Sequence, residues 1–93
     1  LSKGLAALDR EGKIIWVNDN FRQWCPYDPI GQTFFDALLT PPDYRPISDP
    51  FESAYLGTTT CFRVSEPRRH FTITLTPIKH GEDVTEVVAI CDD

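Results

Sequence analysis

Between Leu8 and Asn18 the chain reads LDREGKIIWVN, and no other stretch limits the fold so tightly. An apolar segment enters an acidic turn containing Gly12 and leaves it as Ile14-Ile15-Trp16-Val17. Gly12 takes positive φ without a steric penalty, and Asp9 bonds back to nearby backbone, so together they close a tight reversal. The β-branched and aromatic run that follows favours extended backbone. Asn18 is a helix N-cap, and Asp19 to Trp24 is a helix-compatible run closed by Pro26. The expected opening is a strand from Gly4 to Asp9, a hairpin partner from Lys13 to Val17, then a short helix.

Further along, Pro26, Pro29 and Gly31 enforce an irregular passage. Thr33 can cap a second helix, expected over Phe34 to Leu39, whose apolar residues Phe34, Phe35, Leu38 and Leu39 share one side. TPPDYRP, from Thr40 to Pro46, holds three prolines and reads as a loop. Ser48 or Asp49 can cap a third helix from Pro50 to Leu56, with Gly57 at its end. The period then changes. Thr58 to Val64 is expected to be extended, Ser65 to Arg68 a turn, and His70 to Ile78 a strand. In that strand Phe71, Ile73 and Leu75 alternate with Thr72, Thr74 and Thr76, one face for a core and one polar. A Gly81 turn from Lys79 to Asp83 leads into a last strand from Val84 to Cys91. Strands and helices are segregated rather than alternating, so the fold class is α+β: a five-stranded antiparallel sheet with short helices on one face, in the order strand-strand-helices-strand-strand-strand.

Size and charge exclude several functions. Ninety-three residues hold one domain with one core, and 41% hydrophobic residues with 12% aromatic argue for a folded chain. The balance of 9 basic against 14 acidic residues, net -5, disfavours a nucleic-acid surface. Arg68-Arg69 beside His70 is the only basic pair and reads as a solvated hairpin tip. Cys25, Cys61 and Cys91 are an odd set without C-x-x-C spacing, which points to reduced thiols in a cytoplasmic setting. No apolar run approaches a membrane span, so no membrane contact by this domain is expected. The start at Leu1 and end at Asp93 suggest a piece of a longer parent, compatible with a membrane anchor elsewhere.

Three local patterns resemble the PAS domain family across nearly the whole chain. They are D-x-x-G-x-I-x-x-x-N at Asp9, Gly12, Ile14 and Asn18; Ile30-Gly31-Gln32 with FFDALL; and an alternating strand ending Thr76-Pro77-Ile78, followed by a Gly turn and VTEVVAICDD. CPYDP before Ile30 and the Pro-rich stretch between Leu39 and Gly57 depart from the family pattern. The resemblance implies a non-enzymatic sensory module of a signalling protein, such as a bacterial sensor histidine kinase. Its C-terminal strand would pass a ligand- or partner-dependent change through Cys91, Asp92 and Asp93 to an output domain of the same chain. The alternative is a dimerisation or docking module with a filled core.

In such a fold the sheet curves around a small cavity. The lining candidates are Phe21, Phe34, Leu38, Phe51, Tyr55, Phe62, Phe71, Ile73 and Leu75, with Thr60 and Arg63 as polar anchors. The same side chains could instead fill the core, and their bulk favours that reading. No cofactor is identified. Heme is disfavoured because Pro46 to Gly57 has no His, and covalent flavin because neither Cys25 nor Cys61 lies in an Asn-Cys-Arg-Phe run; non-covalent flavin stays open. A metal site on Cys61 and His70 would place them as diagonal neighbours, Cys61 facing Thr72 and His70 facing Arg63, and would lack further ligands. Cys25 and Cys91 read as small buried hydrophobes with no cation nearby to activate a thiol. The scattered acids have capping or solvation roles, which leaves catalysis unsupported. Trp16, on a strand expected at the sheet edge, suggests an apolar contact with a second copy or a partner domain.

Overall fold

The acidic turn closes as its residues dictate. In the computed structural model, which describes residues 3–92, Asp9 Oδ1 accepts from the Glu11 and Lys13 N–H groups at 3.0 and 2.9 Å, and Gly12 sits at φ +80°. The strands it joins are β1 (Gly4–Leu8) and β2 (Ile14–Val17). Their register slips by one: Ala7 faces Trp16 while Leu8 faces Ile14, leaving Ile15 as the extra residue of a β-bulge. Ile14 and Val17 therefore point inward, and both Ile15 and Trp16 point out, 46% and 52% exposed. Simple alternation would have exposed only one of them.

Asn18 then does two jobs. Its Oδ1 accepts from the Phe21 N–H at 2.9 Å, capping α1 (Asp19–Trp24), and from the Leu5 N–H at 3.0 Å, tying the cap to β1. Two more short helices follow, α2 (Phe34–Ala37) capped by Thr33 and α3 (Pro50–Tyr55) capped by Asp49. β3 (Thr60–Ser65), β4 (His70–His80) and β5 (Asp83–Asp92) complete an antiparallel sheet ordered β2-β1-β5-β4-β3. The last strand is thus the middle one, bonded to β1 and β4. The α+β class and the five-stranded sheet are as expected.

Cross-strand rungs decide which side chains share a face. Gly4, Cys91, Ile73 and Phe62 form one inward rung, and Val17, Ala6, Ala89, Leu75 and Thr60 another. The helices cover this side, and Phe21, Phe34, Ala37, Leu38 and Ala54 complete its buried core. Gly4 is required here by space: a Cβ would lie 2.2 Å from the Trp24 ring. Outward, Leu5, Ile90, Thr74 and Cys61 form one rung, and Trp16, Ala7, Val88 and Thr76 the next.

Several expected boundaries move. The second helix stops at Ala37, two residues early, and Leu39 takes a left-handed φ of +53°. Its N–H bonds to Asp36 O and the Thr40 N–H to Phe35 O, a Schellman closure with leucine where glycine is usual. Thr40 precedes Pro41, which disfavours helical backbone there. The Pro-rich loop is not wholly irregular, since Pro42–Tyr44 forms one 3₁₀ turn with proline at its start. β3 runs from Thr60 through Ser65, so the following turn spans Glu66 to Arg69, closed by the Glu66 N–H on Arg69 O. β4 continues to His80, and Pro77 lies inside it. It falls beyond the last β3 rung at Leu75, where β4 has become an edge strand and a missing N–H is tolerated. The passage expected to be irregular also adds to the sheet edge: the Gly31 N–H donates to Ile14 O and the Ile14 N–H to Gln32 O.

Candidate functional site

Most of the expected pocket lining is core. Phe21, Phe34, Leu38, Phe71, Ile73 and Leu75 are buried, while Phe51, Tyr55, Phe62 and Thr60 are half-buried. Their rings pack on one another: Phe21 on Phe34 at 5.7 Å between centroids, Phe34 on Phe51 at 5.7 Å, Phe51 on Phe62 at 6.1 Å, and Trp24 on Phe71 at 5.0 Å. Spacings of 4.5–7 Å are those of favourable tilted and edge-on aromatic pairs. Arg63 does not join them. It lies three residues after Thr60, so strand parity sends it to the outer face opposite Thr72, where it is exposed. Thr60 faces inward, and its hydroxyl donates to Pro50 O at 3.1 Å, tying β3 to the start of α3.

A concave site opens instead at the surface. A groove of about 340 Å³ is lined by Glu11 and Gly12 of the first turn, Thr33 to Phe35, the loop Arg45 to Asp49, and Pro50 and Phe51 of α3. Only Phe34 and Phe51 belong to the lining expected from sequence. Glu11, Arg45, Ile47 and Asp49 carry no pattern that marks them, and only the chain's path through the Pro-rich loop assembles them.

Arginines hold the wall beside this groove. Arg45 donates from Nε to Thr40 O at 2.8 Å, approaches Asp36 at 3.4 Å, and stands 5.5 Å from the Phe35 ring centroid. Arg69, expected at a solvated tip, reaches back instead. Its Nη2 donates to Leu38 O at 3.0 Å and its guanidinium covers Phe71 at 5.2 Å. The carbonyls on either side of left-handed Leu39 are therefore each held by an arginine stacked on a phenylalanine. Arg68 remains exposed.

The titratable groups are structural in character. Burial, and then the Asp9 carboxylate, push the Tyr55 hydroxyl up to about 12, with smaller contributions from Glu11 and Asp49. That hydroxyl donates to Asp9 O, joining α3 to the first turn. Burial raises the Cys91 thiol to about 12. Cys25 does have cationic neighbours, contrary to expectation, but burial outweighs Arg22 and Arg69 and its pKa still rises. Cys61 is exposed on the outer face. It pairs with Thr74 and His70 with Ser65, so the two lie four residues apart along the hairpin, roughly 13 Å, rather than as diagonal neighbours. Among the described residues no helix is long and apolar enough to cross a membrane. Of the expected output residues, Cys91 is buried in β5 and Asp92 ends that strand beside Lys3 at 3.7 Å, while Asp93 lies outside the described residues.

The family model described as PAS fold matches residues 1–93. The chain belongs to the PAS fold family. This PAS domain superposes on a domain of an HTR-like protein from Haloarcula marismortui with a TM-score of 0.69 at 18% identity, covering 100% of this chain and 98% of that one. It also matches a sensory box sensor histidine kinase from Vibrio cholerae with a TM-score of 0.71 at 17% identity, over 98% of this chain and 79% of the other. At such identities the likeness is one of fold. No curated protein matches the sequence.

Proposed function

We propose that this PAS domain is a non-enzymatic sensory module that converts occupancy of the α2–α3 groove into a change at the end of β5. The observation that carries this reading is the position of α3. It forms the groove wall through Pro50 and Phe51 and packs on β3, β4 and β5. A ligand that reorders the loop before α3 therefore biases the helix lying on the strand that ends at Asp92. Ligand binding shifts such an equilibrium only by its differential affinity for the two arrangements. A parent signalling protein of the sensor histidine kinase type, with an output domain after β5, fits the fold relatives. Three unpaired cysteines suit a cytoplasmic placement.

Native mass spectrometry of the gently purified chain tests the proposal. A reproducible extra mass, lost on substitution of Phe51, is expected. A clean mass that no small-molecule panel alters would sink the sensory reading.

One observation favours a second role, dimerisation. Ile15 and Trp16 are exposed at the sheet edge and continue into a partly apolar outer face of Leu5, Ala7, Val88 and Ile90. Sedimentation of the wild type against Trp16→Ser tests it. A monomer in both samples at high concentration would remove homodimerisation.

A further inference from the structure

We propose, building on the reading of the α2–α3 groove as the ligand site, that it takes a small organic cation: a primary amine on a single ring or short aliphatic body. At about 340 Å³ the groove lies at the small end of ligand pockets, which span roughly 300–1,000 Å³. Phe34, Phe35 and Phe51 form its apolar side, with Phe35 edge-on to both others at 5.5 and 5.8 Å. Phe34 is buried and Phe35 already carries Arg45, so the half-buried Phe51 ring is the aromatic surface left to attract an ammonium through its quadrupole and to accept its hydrocarbon body.

The charges of the lining select the sign. Glu11 enters from the first turn and Asp49 from the start of α3. Among the described residues the Glu11 carboxylate has no hydrogen-bond or ion-pair partner. Asp49 Oδ1 accepts the Phe51 N–H at 2.9 Å and keeps lone pairs to spare. The one cation of the lining, Arg45, is committed elsewhere: Nε to Thr40 O, Nη2 beside Asp36, and its plane against Phe35. Both Glu11 and Asp49 also raise the Tyr55 pKa, disfavouring its phenolate, as two negative charges flanking the first turn and α3 should. An anionic ligand meets two carboxylates and a guanidinium already paired with Asp36. A neutral one desolvates the carboxylates without replacing their hydrogen bonds. An ammonium answers both.

The test is a ¹⁵N-resolved NMR titration of the intact chain at neutral pH with 2-phenylethylamine and, in parallel, 3-phenylpropionate. Saturable shifts at Gly12, Phe34, Phe35 and Phe51 are expected with the amine and none with the acid. The double variant Glu11→Gln, Asp49→Asn should weaken the amine about fivefold. Asparagine retains the cap of α3, and an unchanged dispersed spectrum verifies that fold. Equal binding of the acid, or undiminished amine binding by the double variant, overturns the cation and leaves the groove as a ligand site. Silence of these amides to both probes overturns the cation and the groove together.

Discussion

The inner and outer faces of the sheet are built from the same strands and the same rungs, yet their side chains live in different solvents. Inward, Ala6, Leu8, Ile73, Leu75, Val87, Ala89 and Cys91 are fully covered by helices that add a chain of packed rings. Outward, Leu5, Ala7, Val88 and Ile90 are only half-covered and Trp16 is open. Parity alone sorts residues into two sets. It is the helices, all on one side, that turn one set into a core and leave the other as surface. Two cysteines mark the contrast, Cys91 inward and Cys61 outward, one rung apart across Ile73 and Thr74.

The largest difference should appear on truncation of the core. Phe21 is fully buried between Trp24 and Phe34, and Phe21→Ala is expected to cost about 3–5 kcal/mol. In a domain whose whole stability is on the order of 5–15 kcal/mol, that is a major loss. Urea denaturation measures it, and Val88→Ala on the outer face, costing about 1 kcal/mol or less, is the matched control.

The thiols sharpen the comparison next. Cys61 should alkylate at least ~10-fold faster than Cys91 at pH 8, because Cys91 reacts only when its strand opens. Peptide mapping after timed labelling reads this directly. The pH dependence follows with a definite sign. The unfolded Cys91 thiol ionises near 9.0 and the folded one near 12, so above pH 9 the unfolded state releases its proton first. Stability therefore declines from about pH 9 to about 12, Tyr55 acting in the same direction. Cys91→Ala should flatten part of that decline in denaturant melts taken across this range.

Leu39 belongs to neither face, and it measures the local cost of a left-handed leucine. Leu39→Gly is expected to stabilise by roughly 0.5–1 kcal/mol, because leucine in the left-handed region costs about 1–2 kcal/mol and the added chain entropy of glycine offsets part of the gain. A rise of the urea midpoint at constant slope is the expected result; a fall would mean that the exposed side chain contributes contacts of its own. The smallest effect is expected at Trp16. Trp16→Ser should change monomer stability by less than about 0.5 kcal/mol, and a larger loss would show that the outer face is not a free surface.

Where the sequence was legible, the reason is that the signal is local. The turn at Asp9 and Gly12, the cap at Asn18, the alternation of β4 and the caps of α2 and α3 each depend on residues within a few positions of one another. The bulge at Ile15 was not legible, because it arises from pairing with β1 rather than from β2 itself. Nor was the register of β3 on β4, where one residue of turn placement moved Cys61 from Thr72 to Thr74. Parity still permits a firm statement that was missed: Thr60 and Arg63 are an odd number of residues apart and cannot share a face of one regular strand.

The sequence by itself determined the element order, the α+β class and the alternation that buries Phe71, Ile73 and Leu75, since periodicity and turn chemistry are properties of neighbours along the chain. Tertiary structure alone decided that the aromatic residues expected around a cavity close on one another as core. It also decided that the groove forms from Glu11, Arg45 and Asp49, and that Arg69 turns back to hold α2. Those groups stand far apart in sequence, and only the packing of helices on one face of a twisted sheet brings their charges and rings within reach.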